Sequence, residues 1–223
     1  MRIVRERAGT PADDRAITEA LLEHTRERGE PGLRVWYPPR QVAFGRRDRR
    51  APGYERARER AAERGFPPVT RRVGGRAVAL SPATLSVVLT APGDGDRGGI
   101  PQRYARVREA IAAACRDLGV DVTEGEPAGA FCPGTHALRA DGKLAGLAQR
   151  VRRDVVAVGG VVVVAEAAAL SSVLEPVYGA LEVPFDPEAV GSLAAAGCGA
   201  DRARVRSVLE DRLARTWRAV RET

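Results

Sequence analysis

The segment from Asp154 to Ala165 (DVVAVGGVVVVA) is almost entirely valine, alanine and glycine, with its only charge at the first position. A β-branched run of this length reads as a strand, and a strand without alternating polar residues must be covered on both faces. This segment alone demands a sheet with a central, buried strand and material packed on each side. Other segments supply that material. Pro11 to Arg28 places Ile17, Ala20, Leu21 and Leu22 at helical spacing behind Asp13 and Asp14, and Pro31 and Gly32 end it, which predicts an amphipathic first helix. LRVWY (Leu33 to Tyr37) and QVAFG then read as short strands. The charged stretch Pro52 to Arg64, stopped by Gly65, reads as a solvated helix.

Three bursts of β-type composition follow, PVTRRV, RAVAL and LSVVL, separated by Gly74, Gly75 and Pro82. They are expected to be adjacent strands with a glycine bend. Ala91 to Gly99 reads as a flexible loop, and Arg103 to Leu118 as a helix burying Val107, Ile111, Ala114 and Leu118. HALRADGKLAGLAQRV has the form of a hairpin with Asp141 and Gly142 as a two-residue turn and Lys143 opening the second strand. Helices are expected over Ala168 to Tyr178 and Ala200 to Arg221. The fold class is α/β (α+β), a mixed β-sheet flanked by helices, and 223 residues suit one domain with a sizeable core.

No uninterrupted apolar stretch reaches the length of a membrane span, and MRIVRERAGT lacks the apolar core of a secretory signal. The expectation is a cytoplasmic protein without membrane attachment. Three cysteines without metal-ligand spacing argue against a disulfide framework and a structural metal. Cys115, in a small-residue helical run, reads as core packing, and Cys198, among glycines and alanines, is equally bland.

Of the 36 lysines and arginines only Lys143 is a lysine. Arginine serves wherever a plain surface cation suffices, so a lone lysine draws attention where a guanidinium cannot substitute: a compact ammonium whose proton can be moved. The alternative is a surface lysine surviving by chance. A tight hairpin would carry the loop holding Cys132 towards Lys143, and a cation beside a thiol favours its nucleophilic thiolate. His136, four residues after the cysteine, is the competing base, with a structural or peripheral role the more ordinary reading. His24 reads as a surface residue of the first helix. In RRVGGRAV, Arg71 and Arg72 lead into Gly74 and Gly75, then Arg76, Ala77 and Val78: paired glycines permit close approach of a ligand to backbone, with arginines on either side. Paired glycines are also common as simple bends.

RRVGGRAVAL followed by FCPGTHALRADGKLAGLAQR, with GRRD at Gly45 to Asp48, resembles the superfamily of lipoate-protein ligases, octanoyltransferases and biotin-protein ligases. The family frame of a lysine followed by Gly-x-Ala falls here on Lys143, Gly146 and Ala148. The resemblance implies a lipoate- or biotin-ligase-like (class II synthetase-like) catalytic domain. Within the superfamily, CPG at Cys132 and the Gly-Lys-x-x-Gly-x-Ala-Gln-Arg frame look like the cysteine-using lipoyl amidotransferases. That implies Cys132 as the acyl carrier and Lys143 as its activator. Arg71, Arg72, Gly74, Gly75, Arg76, Ala77, Val78, His136, Gly146 and Ala148 would surround the acyl group. An octanoyl or lipoyl group would pass from the glycine cleavage H protein to a lysine of a lipoyl-domain protein, the E2 subunits of 2-oxoacid dehydrogenases, with no cofactor. The runner-up is a ligase using ATP and Mg through an acyl-adenylate. Val73, Arg76 and Leu80 stand where the ligase pattern has serine, a third glycine and histidine, and Ala145 replaces the usual serine beside the lysine. A non-catalytic acyl-binding relative is a third reading. A nucleic-acid-binding module, suggested by the net charge of +7, lacks a recognition motif, and with 4% aromatic residues it has little to stack bases on.

Overall fold

A computed structural model of the chain describes residues 1–71, 74–93 and 99–218. The valine run forms strand β10 (Val155–Val163), fourth of seven in a sheet of order β1-β2-β6-β10-β9-β8-β7. Its companions are β1 (Arg2–Val4), β2 (Gly32–Trp36), β6 (Thr84–Pro92), β7 (Thr123–Glu124), β8 (Ala137–Arg139) and β9 (Lys143–Val151). Every pairing is antiparallel except β1 with β2. A second sheet, of order β4-β3-β5, comprises β3 (Gln41–Phe44), β4 (Pro68–Thr70) and β5 (Val78–Leu80).

Alternation assigns the two faces of the large sheet. Leu33 and Val35 of β2, Leu85, Val87 and Leu89 of β6, and Val156, Val158 and Val162 of β10 share one core with Val107, Ile111 and Ala114 of α3 (Ile100–Asp117) and Val205, Leu209 and Leu213 of α5 (Arg202–Arg218). The opposite face carries α1 (Pro11–Arg28). Gly32 admits that helix, since a Cβ there would lie 2.4 Å from Leu21 Cδ1, and the Thr25 and Thr90 hydroxyls meet at 2.6 Å. The small sheet, α2 (Tyr54–Glu63) and α4 (Ala167–Ala180) share a second core around Phe44, Val173, Val177 and Tyr178.

The first helix begins and ends where its signals stand. Thr10 accepts the Asp13 N–H at its N-terminus, and Gly29 closes it at φ 63° with its N–H on the Thr25 carbonyl. The three β bursts around Gly74 and Gly75 are not adjacent strands: β3 lies between β4 and β5, and β6 belongs to the other sheet. The parallel pairing of β4 with β3 leaves the glycine segment spanning a strand instead of turning tightly. Helix α2 is not wholly solvated, because Ala57 and Ala61 are completely buried in the second core. Ala91 and Pro92 extend β6, while residues 94–98 of the expected loop and the end of the last helix beyond residue 218 lie outside the described residues. No described helix is long and apolar enough to cross a membrane.

Candidate active site

The hairpin of β8 and β9 contains a register shift: Leu138 faces Ala145, but Arg139 faces Lys143, leaving Leu144 as an extra residue. A bulge reverses the side-chain phase of what precedes it. Plain alternation would put Lys143 on the α3 face with Ala145 and Leu147. The bulge instead brings it onto the face of Gly146, Ala148 and Arg150, which line the same cavity as Lys143. Gly146 leaves room for it, since a Cβ there would lie 3.2 Å from Lys143 Cε. The connection is three residues, Ala140 to Gly142, one longer than the expected two-residue turn. The Lys143 backbone is held from the other side by the Gly191 N–H, which donates to its carbonyl at 3.0 Å.

Lys143 is 2% exposed. Its ammonium pairs with Glu126 and donates to the carbonyls of Phe131 at 2.9 Å and Cys132 at 2.8 Å. An ammonium has three donors, and these contacts use all of them. The other oxygen of Glu126 accepts the Gly134 N–H. The lone lysine therefore fastens the loop from Glu126 to Gly134 against the sheet, and it meets the cysteine at the backbone, not at the sulfur.

Cys132 adopts φ 44°, in the left-handed region that side chains disfavour. Its N–H donates to the Tyr178 hydroxyl at 2.5 Å, and that hydroxyl donates to the Ala77 carbonyl at 2.9 Å. Tyr178 is fully buried, and burial raises its pKa so that it stays a neutral phenol. With the N–H held by Tyr178 and the C=O by Lys143, the strained peptide points its sulfur at Arg71, whose Nη2 donates to Sγ at 3.1 Å and to the Arg76 carbonyl at 2.5 Å. Gly75, at φ 92°, forms the other side of the sulfur, and a Cβ there would stand 2.7 Å from Sγ and 2.8 Å from Arg71 Nη2. Behind it lies Gly45, where a Cβ would be 2.0 Å from the Gly75 carbonyl oxygen. Gly45 thus packs on Gly75, and Gly75 in turn stands against the thiol.

Cys132 and Lys143 line a cavity of about 330 Å³ between the α1 face of the large sheet and the small sheet, at the lower end of the roughly 300–1,000 Å³ usual for small-molecule sites. Its apolar wall includes Leu22, Val69, Val78, Leu80, Ala157 and Val161. Gly159, whose Cβ position has only ordinary van der Waals neighbours, adds a smooth stretch of backbone. Arg34, completely buried, pairs with Asp14 at 2.9 Å and stacks 4.0 Å over Trp36. Burial pushes the Asp14 carboxyl pKa up, opposed by Arg34.

The structure brings Arg71, Gly75, Arg76, Ala77, Cys132 and Lys143 into one contact network, with Val78, His136, Gly146 and Ala148 on the cavity wall. A Cβ on Gly74 would meet nothing within 4 Å, and Arg72 lies outside the described residues. The His136 ring stacks on Tyr104, with centroids 3.7 Å apart, and burial together with Arg108 lowers its pKa. Among the described residues no hydrogen bond joins it to Cys132 or Lys143. Sequence reasoning missed Glu126 and Tyr178. Glu126 sits in a turn-rich stretch with no periodic signal, and Tyr178 reads there only as the end of an apolar helix.

The chain is 35% identical over 144 residues to an octanoyl-[GcvH]:protein N-octanoyltransferase of Exiguobacterium sp. (strain ATCC BAA-1283 / AT1b), covering 64% of this chain and 51% of that protein. To the enzyme of the same name from Geobacillus kaustophilus it is 33% identical over 127 residues, covering 56% and 45%. The chain thus spans about half the length of these curated relatives. The fold matches a lipoate-protein ligase A bound with ATP (TM-score 0.77, 20% identity, 97% of this chain and 85% of that one). It also matches Ta0514, a putative lipoate protein ligase from T. acidophilum with bound lipoic acid (TM-score 0.74, 20% identity, 97% and 86%). The profile of the lipoyl protein ligase A/B catalytic domain matches residues 10–212, a span that contains Arg71, Cys132 and Lys143, and the chain belongs to that family.

Proposed function

We propose that the protein transfers an octanoyl group to a lysine of a lipoyl-domain protein through a thioester on Cys132. The observation that carries this reading is a cysteine sulfur on the wall of an apolar cavity, held in a strained peptide and in contact with a guanidinium. The names of the relatives support an octanoyl group, with the glycine cleavage H protein as donor. Acyl transfer of this kind needs no cofactor.

The cavity takes the acyl chain; each methylene removed from water contributes about 0.8 kcal/mol, roughly 5 kcal/mol for an octanoyl chain. The sulfur attacks the acyl carbonyl of the donor. A carbon–sulfur bond forms, the bond to the donor's lysine nitrogen breaks, and the thiol's proton leaves with that amine. The acceptor lysine then attacks the thioester, forming the amide and returning the proton to the sulfur. Arg71 stabilises negative charge on the sulfur in both half-reactions. Lys143 acts on Cys132 by holding its carbonyl, which fixes the direction of the sulfur. Such positioning is worth as much as direct chemistry, since about 1 Å of misplacement costs on the order of a hundredfold in rate.

The test is incubation with octanoylated H protein without ATP, followed by intact mass. The expected product is a hydroxylamine-sensitive octanoyl adduct on Cys132, absent in Cys132→Ala. No adduct, together with acylation of a lipoyl domain from free octanoate that requires ATP and Mg, would establish the ligase reading instead.

A further inference from the structure

The turn behind the glycine lip is dense in positive charge: four of the five residues from Arg46 to Arg50 are exposed arginines. Arg46, Arg47, Arg49 and Arg50 are all exposed, and among the described residues none pairs with a carboxylate. Several surface arginines elsewhere are paired, Arg26 with Glu23, Arg58 with Glu55, Arg60 with Glu63 and Arg212 with Asp117, and others, such as Arg7, Arg28 and Arg106, are exposed without a carboxylate partner among the described residues. The one acid in the turn, Asp48, points inward. It is fully buried, accepts the Gly45 N–H at 2.8 Å, and is met by Arg76 Nη1 at 3.4 Å. The turn is therefore rigidly built, with its only negative charge consumed inside and four positive charges facing out. Gly45 packs on Gly75, and Gly75 on the Cys132 sulfur.

We infer that this arginine turn is the docking surface for the carrier protein, an acidic domain whose carboxylates flank the acylated or acceptor lysine. Four like charges in one short turn repel one another, and an anionic partner relieves that repulsion while steering the encounter. A lysine side chain reaching the sulfur past Gly75 leaves the body of its own domain against the neighbouring turn. A nucleic acid would also meet the charge, but a turn that packs through Gly45 and Gly75 behind the nucleophile fits the macromolecule that delivers the acyl group. This inference rests on the transfer reaction proposed above.

The test compares the wild type with the fourfold variant Arg46→Glu, Arg47→Glu, Arg49→Glu, Arg50→Glu, and with the fourfold lysine variant, which keeps the charge. Octanoyl-N-acetylcysteamine, a neutral small thioester, reads the chemistry alone, and octanoylated H protein reads chemistry plus docking. The reversed variant is expected to keep the small-thioester rate within about twofold and to lose on the order of a hundredfold in kcat/KM with the H protein, while the lysine variant keeps both. Affinity of the Cys132→Ala protein for the H protein should fall steeply with salt, and this dependence should flatten in the reversed variant. Amidating the carboxylates around the carrier's lysine should produce the same loss. Unchanged kcat/KM with the H protein, or an equal fall with both donors, overturns the inference, as does an RNA oligonucleotide that binds the turn more tightly than the carrier does. Because the binding arm needs no transfer, an intact salt-dependent affinity without any Cys132 adduct would refute the reaction and keep the surface.

Discussion

Replacing Gly75 with alanine isolates the placement of the sulfur from the chemistry of the sulfur. The new methyl carbon would stand 2.7 Å from Cys132 Sγ and 2.8 Å from Arg71 Nη2, each nearly 1 Å inside ordinary contact, at a backbone φ of 92°. The unfavourable φ costs about 1–3 kcal/mol. For a chain of this size that corresponds to roughly 2–12 °C in Tm. Relief of the clash drives the thiol and the guanidinium apart, and about 1 Å of displacement predicts on the order of a hundredfold slower acylation of Cys132. The comparison is Gly74→Ala, whose methyl would meet nothing within 4 Å and should alter acylation by less than about threefold. Adduct formation followed by intact mass, alongside thermal melts, reads both effects. Wild-type acylation in Gly75→Ala, or equal losses at the two glycines, would refute the reasoning.

Lys143→Met removes the partner of a part-buried Glu126 and should destabilise the protein by about 3–5 kcal/mol in urea unfolding. Adding Glu126→Gln should restore much of that stability without restoring transfer. Lys143→Arg should abolish transfer despite its retained charge, because a planar fork cannot reproduce three convergent contacts around one nitrogen; full activity would disprove the clamp. Tyr178→Phe leaves the Cys132 N–H and the Ala77 carbonyl without their partner, an expected loss of about 1–3 kcal/mol, with kcat falling more than KM rises. Burial pushes the Cys115 thiol up to about 12 from 9.0. The unfolded chain therefore loses this proton first, and stability should decline between pH 9 and 12 by up to about 1.4 kcal/mol per pH unit. Cys115→Ala should flatten that slope in denaturation measured at several pH values, and iodoacetamide at pH 8 should label Cys132 well before Cys115.

Much of the architecture was legible in local chemistry. Thr10 and Gly29 mark the ends of α1 because a hydroxyl acceptor and a left-handed residue satisfy backbone groups that a helix leaves open. The valine run is the middle strand because nothing polar interrupts it on either face. The motifs around Cys132 and Lys143 drew attention to a loop and a strand that the fold brings to one cavity. The strand order around Gly74 and Gly75 was not legible, since insertion of β3 between β4 and β5 depends on pairing between distant segments. Two neighbouring glycines look alike in sequence, yet a Cβ would strike the sulfur at Gly75 and meet nothing at Gly74.

The amino-acid sequence by itself determined the elements, the family frame and the suspicion attached to a single lysine in an arginine-rich chain. The tertiary structure decided what that lysine does. A period-two alternation is reversed by one extra residue, so the bulge at Leu144 alone moves Lys143 from the packed face to the cavity face. Once there, its contacts come from Glu126, Phe131 and Cys132, and the sulfur's come from Arg71. Those partners are brought together by chain crossings, which no local pattern of residues records.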